Sequence, residues 1–260
     1  MKGFMTDKNL PVIELKSVTK SFGAVQVLTD VNFVAYSGQV TALVGDNGAG
    51  KSTLIKGIAG VQPYDAGSIY FEGKEVQIKA PTDASVLGIE VVYQDLALCD
   101  NLDVVQNMFL GREMVRSISL DEENMEQKAK KTLSSLSVRN ISSVRQKVSS
   151  LSGGQRQTVA IARSVLWENK LVILDEPTAA LGVSQTKQVL KMVRNLADAG
   201  LAVVLISHNM QEVMAVADRI QILRLGQMVA DLKASETSLN SIVSYITGAE
   251  NLSLTGEASA

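Results

Sequence analysis

The stretch Gly45-Asp46-Asn47-Gly48-Ala49-Gly50-Lys51-Ser52-Thr53 decides how the rest of the chain is read. It follows the apolar run Val40-Thr41-Ala42-Leu43-Val44 and precedes the helical pattern Leu54-Ile55-Lys56-Gly57-Ile58-Ala59. Strand, glycine-rich turn and helix in that order predict a phosphate-binding loop. Gly45, Gly48 and Gly50 let the backbone fold back and aim successive N–H groups inward. The helix that follows adds its positive end. Lys51 can reach the β- and γ-phosphates as a point charge, and the Ser52 hydroxyl can ligate Mg²⁺. The whole stretch from Gly45 to Thr53 is therefore expected to line a nucleoside triphosphate site. No second phosphate loop occurs, so the expectation is one nucleotide-binding unit per chain.

The chain of 260 residues is long enough for one large domain, and a hydrophobic content of 46% is ample for a core. Lys and Arg number 25 against 27 Asp and Glu, a net charge of −2, which gives no electrostatic reason to bind nucleic acid. A single cysteine, Cys99, excludes an internal disulfide and suits a reducing compartment. The start, MKGFMTDKNLP, lacks the apolar centre of a signal peptide and reads as a loose leader over 1–11. Apolar runs such as Leu201 to Ile206 fall far short of the ~20 residues that span a bilayer. A chain of this kind is expected to be soluble and to reach a membrane only by docking to something that spans it.

Short strands are expected at Val12–Val18, Val31–Tyr36, Val40–Val44 and Ser68–Phe71, with turns between them. Pro81 opens a helix through Leu87, and Ile89–Tyr93 reads as another strand. From Asp95 to about Trp167 the apolar spacing becomes helical, as in Val104-Val105-Met108-Phe109 and Ala129-Leu133-Leu136, and predicts an inserted helical lobe. Cys99 and Trp167 read as packing residues of that lobe. Buried strands are expected at Leu171–Leu174 and Ala202–Ile206, then strands at Arg219–Leu223 and Met228–Asp231 and a helix near Leu239–Ile246. The tail over 249–260 is expected to be disordered.

Two further motifs carry chemistry. Leu171 to Pro177, LVILDEP, is an apolar strand that ends in two carboxylates. Ligands of open α/β sheets bind at the carboxyl ends of strands, so Asp175 is expected to hold Mg²⁺ and Glu176 to polarise an attacking water. Ser152-Gly153-Gly154-Gln155, after Leu151, opens a helix with Ser152 as N-cap and bared backbone N–H groups. That is a second anion site. With one cradle already present, a second makes sense if it faces the nucleotide of another copy.

Together GDNGAGKS, LSGGQ, LVILDEP and Ile206-Ser207-His208 resemble the ATP-binding subunit of ABC transporters, over about Val12 to Gly248. The resemblance implies an α/β fold: a P-loop NTPase, RecA-like core with an antiparallel β subdomain and an inserted helical lobe, over 12–248. It implies ATP and Mg²⁺ as ligands. Gln94, after Val91-Val92-Tyr93, matches the glutamine that touches Mg²⁺ and the attacking water and hinges the lobe. His208, the only histidine in the chain, matches the histidine that contacts the γ-phosphate and is expected to open a helix. Phe22 matches the aromatic that stacks on adenine, with Val27 beside the base; core packing is the other reading of Phe22. The family commonly has Ser-Ala-Leu-Asp after Pro-Thr, whereas this chain has Ala179-Ala180-Leu181-Gly182. The aspartate of a loop that crosses the dimer interface is thus Gly182 here.

Asp95 to Glu113, DLALCDNLDVVQNMFLGRE, and the Ala-Ala-Leu-Gly run are similar to ATPases of monosaccharide importers of the ribose and fructose type. What this implies is a homodimer of ATPase subunits on the cytoplasmic face of the inner membrane. It would be docked to permease subunits and served indirectly by a solute-binding protein. The exposed face of Asn101–Leu110 is expected to meet the permease. A soluble ABC ATPase of translation or repair, and the ATPase half of an exporter, are the alternatives. They are set apart by tandem copies or a long coiled coil in the first and fused membrane helices in the second.

Overall fold

Residues 40–44 and 202–206 are buried without exception, and 171–174 likewise. Strands apolar on both faces belong inside a parallel sheet covered on both sides. The computed structural model, which describes residues 10–136, 138 and 141–249, has that arrangement. The expected leader over 1–11 and tail over 249–260 lie outside the described residues, except for 10, 11 and 249.

In chain order the elements are β1 (Ile13–Phe22), β2 (Val25–Ala35), β3 (Val40–Val44), α1 (Lys51–Ile58), β4 (Ala66–Phe71), β5 (Lys74–Val76), α2 (Pro81–Val86) and β6 (Ile89–Val92). Then come α3 (Val104–Phe109), β7 (Val115–Arg116), β8 (Ser119–Leu120), α4 (Glu122–Ser135) and α5 (Gly153–Ser164). The chain continues with β9 (Leu171–Asp175), α6 (Val183–Asp198), β10 (Ala202–Ile206), α7 (Met210–Val216), β11 (Arg219–Arg224), β12 (Gln227–Lys233) and α8 (Leu239–Thr247). The main sheet has the order β12-β11-β3-β10-β9-β6, parallel except for β12. A second, antiparallel sheet has the order β2-β1-β4-β5.

The alternation along each central strand sends its side chains to two cores. Val172, Leu174, Val203 and Leu205 pack with α3, α4, α5 and α6. Ile173, Ala202, Val204 and Ile206 pack with α1 and the antiparallel sheet. Each fully buried Leu or Ile contributes about 1.5–3 kcal/mol of transfer free energy. Across the sheets, the buried Gln221 of β11 donates to Val34 O at 2.7 Å and accepts from Val34 N–H at 3.4 Å. This polar tie gives both backbone groups of the partly buried Val34, on the open edge of β2, a partner.

The structure departs from the sequence expectations in definite places. β1 and β2 run to Phe22 and start from Val25, so the first two expected strands are one long hairpin turning at Gly23-Ala24. In the outer half of that hairpin Phe22 and Val25 are exposed, so its apolar residues do not mark a buried face. The segment 95–167 is not purely helical, because it contains the β7–β8 hairpin. Two-residue strands are too short to show a period. α3 has no broad exposed face: Val104, Val105, Asn107, Met108 and Phe109 are all buried. His208 does not open a helix; Asn209 caps α7, accepting from the amides of Gln211 and Glu212. Trp167 packs as expected, edge-on to Phe109 at 5.9 Å between centroids, with the Lys128 ammonium 4.0 Å above its ring.

Candidate functional site

Four parallel strands that are neighbours in the sheet end side by side. Leu43 of β3, Ile206 of β10 and Asp175 of β9 stand in register, and Val92 of β6 pairs with Leu174 of β9. The residues just beyond those ends are Gly45 to Gly50, Ser207 and His208, Glu176, and Gln94. Hydrogen-bonding strands lie ~4.8 Å apart, so the row gathers these groups within reach of one small molecule.

The loop after β3 needs its glycines. A Cβ on Gly45 would come within 2.0 Å of the Leu223 carbonyl oxygen, so no side chain fits there. Gly50 has φ +107 and a Cβ on it would lie 2.8 Å from Leu28 Cδ2 of β2. Gly50 is also the N-cap of α1 and supplies no side-chain acceptor, so no cap competes for the first-turn N–H groups. Lys51 Nζ folds back and donates to Gly45 O at 2.7 Å and Asp46 O at 2.9 Å. Burial pushes its pKa down, against the opposing pull of Glu176, Asp175 and Asp46.

A cavity of about 310 Å³ runs along this loop, lined by residues 47–53 together with Val27, Gln94, Asp175, Glu176 and Ile206. Burial raises the Asp175 carboxyl above its ordinary value, and the neighbouring Glu176 charge adds to this, while Lys51 and Lys56 oppose it. Glu176 has a left-handed φ of 51°. Its N–H donates to Ile206 O at 3.0 Å, which anchors the turn to β10. Its carboxylate oxygen Oε2 lies 2.7 Å from His208 Nδ1. A second cavity of about 520 Å³ adjoins, shared by Gly45, Asp46, Asn47, Gln94, Glu176 and His208 with Met210, Ala179, Val243 and Ile246. Val243 and Ile246 come from α8, and no local signal in the sequence ties that helix to this region. Glu212, likewise unread from the sequence, accepts a short hydrogen bond from the Thr178 hydroxyl under the turn after Glu176.

Two predicted groups stand apart from these cavities. Ser152, Gly153, Gly154 and Gln155 form the N-terminus of α5, where Ser152 N–H donates to Gln155 Oε1 at 2.8 Å and Gln155 N–H returns to Ser152 Oγ at 3.4 Å. None of the four lines either cavity. Phe22 is 45% exposed at the tip of the β1–β2 hairpin, so it is not a core residue. Val27 does line the first cavity, and its carbonyl backs the loop beside Gly50. As chemistry, the row offers backbone N–H groups and an ammonium for an anion, and hydroxyl, amide and carboxylate oxygens for a hard cation.

The sequence pattern of ABC transporters matches residues 28–179, more than half of the chain. The chain belongs to the ABC transporter family. This ABC chain is 47% identical over 236 residues to the xylose/arabinose import ATP-binding protein of Sulfolobus acidocaldarius, across 91% of this chain and 94% of that one. It is 43% identical to the fructose import ATP-binding protein of Rhizobium meliloti, across 92% and 95%. Against the ribose import ATP-binding protein of Caldanaerobacter subterraneus it is 39% identical, across 92% of this chain but 48% of that longer one. Among solved structures, the ABC chain is similar to a nucleotide-free ATP-binding cassette from an ABC transporter, with TM-score 0.80, 26% identity and coverage of 91% and 98%. It is equally similar to an ATP-binding cassette in its ADP conformation, with TM-score 0.80, 26% identity and coverage of 96% and 100%. The α/β, P-loop NTPase fold expected from the motifs is the fold of these cassettes.

Proposed function

We propose that the chain is the ATP-binding and ATP-hydrolysing subunit of an ABC importer, and that it powers uptake of a monosaccharide through a separate permease. One observation carries the reading: the phosphate loop and the carboxylates Asp175 and Glu176 line a single cavity in a chain whose relatives are named as sugar-import proteins.

The loop amides and Lys51 hold the β- and γ-phosphates. Ser52, Gln94 and Asp175 offer a hydroxyl, an amide oxygen and a carboxylate in that cavity, a hard oxygen set that fits Mg²⁺. A single protein carboxylate suits an ion that shares its coordination with substrate phosphates. When bound, that ion would neutralise charge on the β- and γ-oxygens. Glu176 takes a proton from water as its oxygen attacks the γ-phosphorus, and the bond from that phosphorus to the β–γ bridging oxygen breaks. The products are ADP and inorganic phosphate. His208, bonded to Glu176, keeps that carboxylate turned to the cavity, and with Gln94 it reaches toward the γ-phosphate. Phe22 stacks on the adenine, with Val27 beside it.

Ser152 to Gln155 act on the nucleotide of a second copy, which is supported by their separation from this chain's own cavities. Two chains then sandwich two ATP molecules. The segment 95–167 is the lobe that meets the permease. A groove of about 260 Å³ supports this: Tyr93, Asp95 and Ala97, next to the Gln94 hinge, line it with Leu110 after α3 and Arg163 of α5. Among the described residues no helix is long and apolar enough to cross a membrane. A peripheral subunit at the cytoplasmic face fits that.

The test is calorimetry of the purified chain with pentoses and hexoses, paired with ATPase assays. Sugar should neither bind the chain alone nor change its rate. With permease and loaded binding protein in membranes, sugar should stimulate hydrolysis. Tight sugar binding by the chain alone overturns the proposal.

A further inference from the structure

The hairpin tip that carries Phe22 is held by a residue that lies between α1 and β4 in the chain. β1 pairs with β4 only as far as Thr19, opposite Ala66. Its pairing with β2 is irregular between Val18, Lys20 and Ser21. Beyond Thr19, β1 is therefore paired with β2 alone, in a register that shifts, up to Phe22 opposite Val25. Asp65 takes over: its N–H donates to Thr19 O at 2.8 Å. Its carboxylate accepts from Lys20 Nζ at 2.7 Å and from the Ser21 N–H at 2.7 Å. Three successive residues leading into Phe22 are bonded to one aspartate. The Lys20 ammonium, fixed by that bond, stands 5.6 Å from the centre of the Phe22 ring, within cation–π range.

Asp65 is itself tied to the helix that begins in the phosphate loop. Its neighbour Tyr64 donates its hydroxyl to Leu54 O of α1 at 2.6 Å. The Tyr64 ring lies against Gly57, where a Cβ would come within 2.2 Å of it. A continuous path thus runs from Lys51 along α1, through Tyr64 and Asp65, to the residues that carry Phe22. Loop tips bonded only within themselves drift; this one is referenced to the phosphate site.

We propose that Asp65 is a positioning residue for base binding, setting the Phe22 ring at a fixed place relative to the phosphate loop. The proposal rests on the reading of Phe22 as the adenine platform. A brace that served stability alone would affect every ligand equally. A positioning role acts only on ligands that have a base.

The test is calorimetry of the full chain with ATP and with inorganic triphosphate, each with Mg²⁺, for Asp65→Ala, Phe22→Ala and the double variant. Losing a base–aromatic stack costs roughly tenfold in affinity. Asp65→Ala should weaken ATP by about that factor and leave triphosphate unchanged within about twofold. The double variant should bind ATP no worse than Phe22→Ala. Asp65→Asn, which keeps an acceptor for Ser21, should recover part of the loss and carries the test if Asp65→Ala does not fold. Equal losses for both ligands, or losses that multiply in the double variant, overturn the proposal. Unchanged ATP affinity in Phe22→Ala overturns the platform reading, and the proposal with it.

Discussion

His208 Nδ1 lies 2.7 Å from Glu176 Oε2, joining the residues just past two adjacent parallel strands. The pairing exists because Ile206 and Asp175 are in register and because Glu176 takes a left-handed φ of 51°. A non-glycine residue in that region costs free energy and persists only where the surroundings enforce it. Here the Glu176 amide bond to Ile206 O enforces it. Glu176→Gln keeps the side-chain shape and an oxygen for His208 and removes only the basicity. ATP binding should persist while hydrolysis falls by about 10²-fold or more. Single-turnover assays beside equilibrium binding check this, and wild-type turnover would remove Glu176 from its role.

Asp175 gives a pH signature. Its folded-state pKa is raised, by burial first and by Glu176 second. The folded chain therefore holds that proton more tightly than the unfolded chain. Stability is lost as pH rises from the ordinary carboxylate value through the raised one. Asp175→Asn removes it. The nucleotide-free variant should melt higher than the wild type at pH 7, with the advantage shrinking as pH falls through the raised value and gone below the ordinary carboxylate value. It should also lose Mg²⁺-dependent hydrolysis. A lower melting temperature at pH 7 would contradict the electrostatic account.

The shared site can be tested at Gly153. A Cβ there would meet only Leu181 Cδ2, at 3.7 Å, whereas one on Gly154 would press within 3.0 Å of Gln185. Gly153→Asp is thus tolerated by the single chain, and a carboxylate in the first turn suits the helix dipole. It would repel phosphates brought by a second copy. One ATP per chain should still bind, and hydrolysis should fall to background. In the wild type, rate per chain should drop on dilution. A rate per chain constant down to fully monomeric protein would exclude a composite site.

Gly182, where the resemblance led to an expected aspartate, is the N-cap of α6 with φ −73° and needs no glycine-only conformation. A Cβ there would meet only Gln185 Oε1, at 4.0 Å. Gly182→Asp should leave the melting temperature unchanged or slightly raised, since Gly and Asp caps differ by only a few tenths of a kcal/mol. Any effect on hydrolysis should vanish when the chains are diluted apart. A fall of several degrees in melting would make Gly182 a structural requirement instead.

The chemistry of this chain is written locally. A phosphate loop needs strand, glycines, Lys51, Ser52 and helix in unbroken sequence, so Gly45 to Thr53 was legible at once, and so was the strand ending at Asp175 and Glu176. The N-terminus of α5 was legible because an N-cap and two glycines act within one helical turn. The hairpin from Ile13 to Ala35 is legible only in its inner half, because the apolar residues of its projecting half, Phe22 and Val25, stay exposed and show no buried face. β7 and β8 were invisible at two residues each.

Side-chain type and short-range period were enough to mark the phosphate loop, the two carboxylates after β9 and the strands that are buried on both faces. The tertiary structure decided what stands next to what. That His208 meets Glu176, that Gln94 faces the same cavity as Lys51, that α8 lines the neighbouring one and that Asp65 grips the strand before Phe22 all depend on strand order and register. Those are set by hydrogen bonds and packing between segments far apart in the chain, and no local pattern encodes them.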